Sequence, residues 1–192
     1  NSGFTESLIN YDKEEKISSK KTKKRIIEQF SYLEPGTLPI FHKLAKEYTI
    51  CNNYFSSYPG GTFCNRFFAL SGTSKGEVNN LFDIDLQKNI SIEPYIQDQI
   101  TIFDRLNEKN ITWKCYHSGT PLIYLFSRMW KPENLRNIDK IENFYEDVKN
   151  NSLPEFTFLE PKFIGKNQTD MHPPTNILNG DNLLGSIYIA LR

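Results

Sequence analysis

The 192-residue sequence has no excess of charge of either sign and no long apolar segment. Its 23 lysine and arginine residues balance 23 aspartate and glutamate residues, so the formal net charge is zero. A general nucleic-acid binder would carry a basic excess, so we expect no nucleic-acid partner. No apolar run approaches the roughly 20 residues that a helix needs to cross a bilayer, and no transmembrane segment is therefore expected.

Cysteine is also scarce, and its positions form no C-x-x-C pair. The cysteines are Cys51, Cys64 and Cys115. A structural zinc site usually brings cysteine or histidine ligands at close spacing, and a disulfide framework needs an even number of cysteines. The sequence therefore favours neither kind of site, although it leaves a single disulfide bridge and the cellular compartment open.

What the chain does contain is enough apolar sequence for a folded domain. Hydrophobic residues make up 38% and aromatic residues 14% of it, unlike a disordered protein. The length suits a single domain over residues 1–192. Residues 1–30 are polar and rich in lysine, which predicts a solvated loop region. A basic patch could also bring an enzyme to an anionic lipid surface, so peripheral membrane contact stays open.

Helical and strand patterns alternate through the rest of the chain. Apolar residues at helical spacing predict helices over residues 37–48, from Thr62 onward, and over 100–110, 121–130, 138–148 and 181–192. Strands are predicted over residues 49–55, 111–116 and 153–161. Such alternation is typical of a parallel sheet with helices on both faces.

The chain is organised around a turn in front of the helix that begins at Thr62. Pro59 fixes its own φ, and Gly60 and Gly61 can take positive φ without steric cost, so the chain can reverse sharply there. Thr62 occupies the predicted N-cap position. The positive end of a helix favours the binding of a phosphate. Asn65, three residues after Thr62, is expected to point its side-chain amide toward this same end of the helix. Taken alone, this pattern favours a simple helix cap over a phosphate site.

The segments around this turn carry a more specific pattern. Residues 38–48 read Leu-Pro and then a helix ending Leu-Ala-Lys-Glu-Tyr, Thr62 is followed by Asn65-Arg66, and residues 71–74 read Ser-Gly-Thr-Ser. This order resembles the phosphoesterase family, which includes bacterial phospholipases C, plant non-specific phospholipases C and certain acid phosphatases in the alkaline-phosphatase superfamily. Two positions depart from the family pattern. Asn52 replaces an aspartate of the preceding strand, and Cys64 replaces a proline before the asparagine.

A second stretch carries the same resemblance near the end of the chain. Asp170, His172, Pro173 and Pro174 match the family's Asn-Asp-x-His-Pro-Pro segment. Thr175 stands where a second histidine is common in the family. The substrate contacts of this loop are therefore expected to differ from the family's, whereas the expected role of His172 is unchanged. Elsewhere, His117 at the end of a predicted strand could reach a site, but a satisfied hydrogen bond is the favoured interpretation.

The resemblance implies an alkaline-phosphatase-like α/β/α sandwich with a mainly parallel sheet, incomplete in this chain. It also implies that Thr62 is both the nucleophile and a ligand of a divalent metal ion, which would activate the hydroxyl. Asn65 would bind the substrate phosphate, and His172 would assist the leaving group or orient the phosphate.

The remaining metal ligands are expected outside the chain. Family members carry a Glu-Asn pair upstream of the matched part and an acidic pair downstream of it. We therefore expect residues 1–192 to be an internal part of a longer domain, inactive when isolated. The implied function is hydrolysis of phosphate esters, with phospholipids, phosphomonoesters and other phosphodiesters all open as substrates. A non-catalytic phosphoester-binding or interaction domain with a degenerate site is the alternative. Secreted, cytoplasmic and peripheral-membrane locations stay open.

Overall fold

A parallel three-stranded sheet organises the chain in a computed structural model, which describes residues 2–78 and 96–192. The strands are β1 (Trp113–His117), β2 (Ile138–Lys140) and β3 (Phe156–Glu160), and their order in the sheet is β2-β1-β3. Cys115 of β1 lies opposite Ile138 on one side and Phe158 on the other, in parallel register. The mainly parallel α/β fold class expected from the sequence is therefore confirmed, and β1 and β3 confirm two of the predicted strands.

Helices make up most of the remaining regular structure. They are α1 (Ser2–Glu14), α2 (Ser19–Gln29), α3 (Pro39–Glu47), α4 (Thr62–Ser71), α5 (Ile102–Glu108), α6 (Pro132–Leu135), α7 (Ile141–Lys149) and α8 (Leu178–Ala190). Two short 3-10 helices, Leu122–Leu125 and Ser127–Trp130, lie between β1 and α6. The helices α3, α4, α5 and α8 confirm four predicted helices to within a few residues.

Local sequence accounts for where several of these helices begin and end. Pro39 is the first residue of α3, where its missing N–H breaks no helical hydrogen bond. Thr101 caps α5 in a capping box with Asp104, whose carboxylate accepts the Thr101 N–H at 2.8 Å. Gly72 ends α4 in the left-handed conformation, with φ of 74°.

The sheet buries apolar side chains on both of its faces. On one face Trp113 and Cys115 join the main core, in which the rings of Phe103 and Trp113 lie 4.5 Å apart. On the other face the ring of Tyr116 packs edge-on against Phe144 of α7, at 5.6 Å. Successive residues of a strand point to opposite faces, so this alternation places helices on both sides of β1, as in a layered α/β protein.

The prediction of a loop region over residues 1–30 was wrong, because α1 and α2 occupy most of it. The Asp12 side chain of α1 is buried and forms an ion pair with Arg25 of α2. The segment contains no proline, and its one glycine, Gly3, lies at the start of α1. A lysine-rich composition is therefore compatible with a helical pair once a few side chains pack between the helices.

Three other predicted elements differ from the structure. Residues 49–55 form no strand and are exposed, because a β-propensity pattern becomes a strand only when a neighbouring strand pairs with it. The predicted helix over residues 121–130 is replaced by the two 3-10 helices. The predicted helix over residues 138–148 begins as strand β2 before continuing as α7. Most of residues 75–95, for which the sequence patterns predict no helix or strand, lies outside the described residues.

Candidate functional site

Helix α4 begins at Thr62, but Thr62 is not its N-cap. Gly61 is the N-cap, with φ of −72°, and Thr62 is the first helical residue with an exposed side chain. The prediction that Thr62 caps the helix was therefore wrong by one residue. This shift has a chemical consequence, because a hydroxyl that is not used as a cap remains available to another group.

The turn in front of Thr62 needs glycine for space and not for a positive φ. Gly60 and Gly61 are absent from the positive-φ residues of the described chain, so the turn does not use the positive φ that the sequence allows at these two glycines. A Cβ on Gly60 would lie only 2.3 Å from a ring carbon of Tyr58. The Gly60 N–H donates to the Tyr58 carbonyl at 2.8 Å, which closes the turn tightly against that ring.

Asn65 holds this turn through its side-chain amide. Its Oδ1 accepts the N–H of Tyr58 at 3.0 Å. Its Nδ2 lies 2.9 Å from the carbonyl oxygen of Tyr58, 3.2 Å from that of Gly60 and 3.1 Å from that of Gly61. The amide therefore does point toward the turn, as the sequence predicts, but in this structure it binds the backbone of the turn.

Thr62 and Asn65 line one cleft of about 460 Å³, open to solvent. Both polar and apolar residues line the cleft. Its lining residues are Tyr54, Phe55, Ser56, Ser57, Thr62, Asn65, Arg66, Ala69, Leu70 and Phe158. Hydroxyl groups thus lie beside aromatic and aliphatic side chains, an arrangement that suits an ester with one polar and one apolar part.

Arg66 is the charged side chain that lines this cleft, and no role was predicted for it from the sequence. It forms an ion pair with Glu160, the last residue of β3, and the side chains of Arg66 and Glu160 are 15% and 1% exposed. The guanidinium also lies 5.3 Å from the ring centre of Phe163, while its buried Nε has no hydrogen-bond partner in the described part of the chain. The available signal was the Asn-Arg motif itself, which places Arg66 one helical turn after Thr62.

The Glu160 carboxylate is buried and held by several groups. It accepts the N–H of Leu122 at 2.6 Å in addition to its contact with Arg66. Burial raises the pKa of Glu160 above its usual value, although Arg66 and the backbone N–H groups of Leu122 and Ile123 act in the opposite direction. This carboxylate therefore ties α4 to the carboxyl end of β3, the edge where α/β proteins bind ligands.

His172 lies on the loop between β3 and α8 and is not among the residues that line the cleft. Its side chain is exposed, and its Nδ1 is 2.7 Å from the carbonyl oxygen of Pro173. The Thr175 N–H donates to the His172 carbonyl at 2.9 Å, so this loop is a tight turn. The structure thus brings Thr62 and Asn65 together in one cleft but does not add His172 to its lining.

His117, the last residue of β1, differs from the favoured prediction. It lies opposite Glu160 in the parallel register of β1 and β3. Its Nδ1 is buried and has no hydrogen-bond partner among the described residues, so the expected satisfied hydrogen bond is not formed at this atom. The buried Nδ1 of His117 is therefore a further polar atom at the carboxyl edge of the sheet, next to Glu160 of the Arg66–Glu160 pair.

The described residues do not by themselves gather a metal site. Within residues 2–78 and 96–192, no three His, Cys, Asp or Glu side chains lie together where they could hold a metal ion. In the same part of the chain, no helix is both long enough and apolar enough to cross a membrane.

Comparison with known proteins gives a consistent result. The model of the Phosphoesterase family matches residues 4–192. The chain is 29% identical over 162 residues to non-specific phospholipase C3 of Arabidopsis thaliana, covering 82% of this chain and 29% of that protein. It is 30% identical over 162 residues to non-specific phospholipase C6 of the same plant, covering 82% and 30%. It is 25% identical over 146 residues to phospholipase C B of Mycobacterium tuberculosis (strain ATCC 25618 / H37Rv), covering 66% and 27%.

These matches extend over most of this chain but over less than a third of each relative. The family match includes the turn before Thr62, the Arg66–Glu160 pair and the His172 loop, so the cleft described above lies within the shared region. The chain belongs to the Phosphoesterase family.

Proposed function

We propose that this protein hydrolyses phosphate ester bonds with Thr62 as the nucleophile. The observation that carries the proposal is the position of Thr62. It is the first residue of α4, it is not the helix cap, and it lines an open cleft. Family membership supports the reaction class, since relatives that share the matched region are named phospholipases C.

The cleft offers the groups that phosphoryl transfer requires. The Thr62 oxygen attacks phosphorus and the ester oxygen leaves as an alcohol, which gives a phosphothreonine that water then hydrolyses. The positive end of α4 favours the charge of the phosphate at this position. Asn65 keeps the turn in shape, and one Nδ2 N–H that turned from a backbone carbonyl to a phosphate oxygen would add the expected hydrogen bond. His172 does not line the cleft in this structure, and the proposal that it protonates the leaving alcohol is supported by the family resemblance of its loop alone.

Cys64 is not a competing nucleophile in this proposal. Its side chain is fully buried, and burial raises the pKa of the thiol above its usual value. A buried neutral thiol reacts poorly, whereas the neighbouring Thr62 side chain is exposed to the cleft.

A divalent metal ion is part of the proposal for the full-length protein. The Thr62 oxygen suits a hard cation as one ligand, and such an ion would lower the pKa of the hydroxyl. The described residues bring no cluster of acidic or histidine side chains to complete the site. We therefore propose that the other ligands come from residues outside those described.

The apolar lining residues of the cleft support an ester with an apolar part as substrate. Phe55, Leu70 and Phe158 lie in the same cleft as Thr62, and Phe55 is 77% exposed. The relatives named phospholipases C support the same choice. We propose a phospholipid as substrate ahead of a small phosphomonoester, because only the former has an apolar part to contact the apolar lining residues.

The second candidate is a non-catalytic phosphoester-binding domain. The hydrogen bonds of Asn65 to the turn favour it, since in this structure the amide serves the backbone. Turnover of a phosphocholine ester and of a phosphomonoester by the full-length protein, with and without chelator, separates the two. Hydrolysis that is lost in Thr62→Ala supports the enzyme. Binding of the ester without any hydrolysis would instead assign the cleft to recognition alone.

A further inference from the structure

Helix α2 carries a concentrated positive charge in an otherwise neutral chain. Residues 16–25 include six cations and no anion, whereas the whole chain has equal numbers of both signs. The cations are Lys16, Lys20, Lys21, Lys23, Lys24 and Arg25. The charge excess is therefore local, and it lies on one short helix and the connection before it.

One face of α2 packs on α1, which fixes the rotation of the helix. Thr22, Arg25 and Ile26 are half-buried on this face. Arg25 pairs with the buried Asp12 of α1, and its guanidinium lies 5.6 Å from the ring centre of Tyr11. Because this face is occupied, the opposite face of α2 points to solvent.

The opposite face combines lysines with apolar side chains. Lys20, Lys23, Ile27 and Phe30 recur at spacings of three and four residues, so they form one stripe. Lys24 flanks it, and we call these five residues the α2 outer face. Ile27 is 71% and Phe30 54% exposed, and no described residue forms an ion pair with Lys20 or Lys23.

The apolar part of this surface continues past the end of the helix. Two and three residues after Phe30, Tyr32 is 82% exposed and Leu33 is 49% exposed. An apolar patch beside lysines is the pattern of a helix that lies in a lipid interface, with apolar side chains inserted and lysine ammonium groups at the headgroups. A nucleic acid would meet the lysines but would offer no comparable apolar environment to Ile27 and Phe30.

We propose that the α2 outer face is a docking surface for an anionic lipid membrane. Lysines near such a surface are attracted by its negative potential, and the inserted Ile27 and Phe30 side chains add an attraction that salt does not screen. This surface is separate from the Thr62 cleft, whose lining includes no residue of α2. Its test is a binding measurement, so the result does not depend on the proposed phosphoesterase activity.

The experiment is co-sedimentation of the full-length protein with phosphatidylcholine vesicles that contain or lack phosphatidylserine. We expect tighter binding to the vesicles with phosphatidylserine. The variant Lys20→Gln/Lys23→Gln/Lys24→Gln should lose on the order of 100-fold in affinity for them. The matched control Lys43→Gln/Lys109→Gln/Lys140→Gln removes the same charge from exposed lysines elsewhere and should bind like the wild type.

A second variant tests the apolar part, and several results would overturn the proposal. Ile27→Ser/Phe30→Ser should abolish the binding that persists at high salt, with an unchanged circular dichroism spectrum. The proposal fails if the wild type does not distinguish the two vesicles, or if the α2 and control lysine variants lose affinity equally. Binding to heparin without vesicle binding would assign the face to another polyanion. Self-association that only Ile27→Ser/Phe30→Ser removes, without vesicle binding, would assign it to a second copy.

Discussion

Arg66 and Glu160 are 94 residues apart in the sequence and form a buried ion pair between α4 and the end of β3. This contact fixes the helix that begins with Thr62 against the carboxyl edge of the parallel sheet. A buried pair of this kind adds little stability compared with apolar residues, but breaking it leaves one charge without its partner. The pair is therefore a sensitive point for the geometry of the cleft.

Removal of Arg66 alone should be costly. We expect Arg66→Met to lower the free energy of unfolding by about 3 to 5 kcal/mol, because Glu160 is then buried without its cation. The double variant Arg66→Met/Glu160→Gln should recover part of this loss. Urea unfolding of the four proteins in this cycle measures the coupling. The exposed pair Lys24–Glu28 is the control, and Glu28→Gln should cost less than about 1 kcal/mol. Additive losses at Arg66 and Glu160 would show that the pair is not coupled.

The loss in Arg66→Met should also depend on pH. Burial raises the pKa of Glu160 and Arg66 opposes this, so removal of Arg66 raises the folded-state pKa further above the usual glutamate value of 4.5. Below 4.5 the carboxyl is protonated in both the folded and the unfolded states, and the variant loses least. As pH rises through the folded-state pKa, the unfolded state ionises first and the variant loses stability. If the difference in melting temperature between wild type and Arg66→Met stays constant from below pH 4.5 to above the folded-state pKa, Glu160 is not the group that causes the loss.

Thr62 can be tested by two substitutions that differ only in the hydroxyl. Thr62→Ser should keep much of the turnover of the full-length protein, whereas Thr62→Ala should remove nearly all of it. Because Gly61 is the N-cap, Thr62→Ala should cost less than about 0.5 kcal/mol of stability. The measurement is turnover and melting temperature for both variants. An alanine variant that hydrolyses phosphoesters at a rate near that of the wild type would remove Thr62 from the reaction.

Asn65 separates a structural from a phosphate-binding role. The amide holds the turn by hydrogen bonds to Tyr58, Gly60 and Gly61, so Asn65→Ala should cost about 2 kcal/mol of stability. Asn65→Asp keeps the acceptor for the Tyr58 N–H but places a carboxylate against these carbonyl groups, and should be at least as unstable. Chemical unfolding measures both variants. If both variants unfold like the wild type but lose turnover, the amide acts on substrate and does not hold the turn.

The 192-residue chain on its own gives a further test of where the metal ligands lie. We expect this segment to show no chelator-sensitive hydrolysis of a generic phosphodiester, because the resemblance places the other metal ligands outside it and Thr62 alone cannot hold the ion. The control is the full-length protein under the same conditions. Turnover by the purified segment that a chelator abolishes would mean that its own residues complete the site.

Several features could be predicted from the sequence because they depend on residues close together in the chain. The motifs around Thr62 and His172 predicted the family, and apolar spacing predicted α3, α4, α5 and two parallel strands. Errors arose where local patterns were ambiguous. Residues 49–55 look like a strand but have no described neighbour to pair with, and residues 1–30 look like a loop until α1 and α2 pack together.

The sequence by itself thus determined the family, the parallel α/β class and the presence of a helix beginning near Thr62. Only the tertiary structure decided how the parts of the site meet. Asp181 at the start of α8 accepts the N–H of Phe41 at 2.7 Å and so holds the start of α3 from 140 residues away. The Arg66–Glu160 pair and the turn contacts of Asn65 are likewise decided by packing. The physical reason is that a buried polar group needs a hydrogen-bond partner, and here the partner comes from a distant part of the sequence. The residues near the group in the sequence do not indicate which partner the fold places beside it.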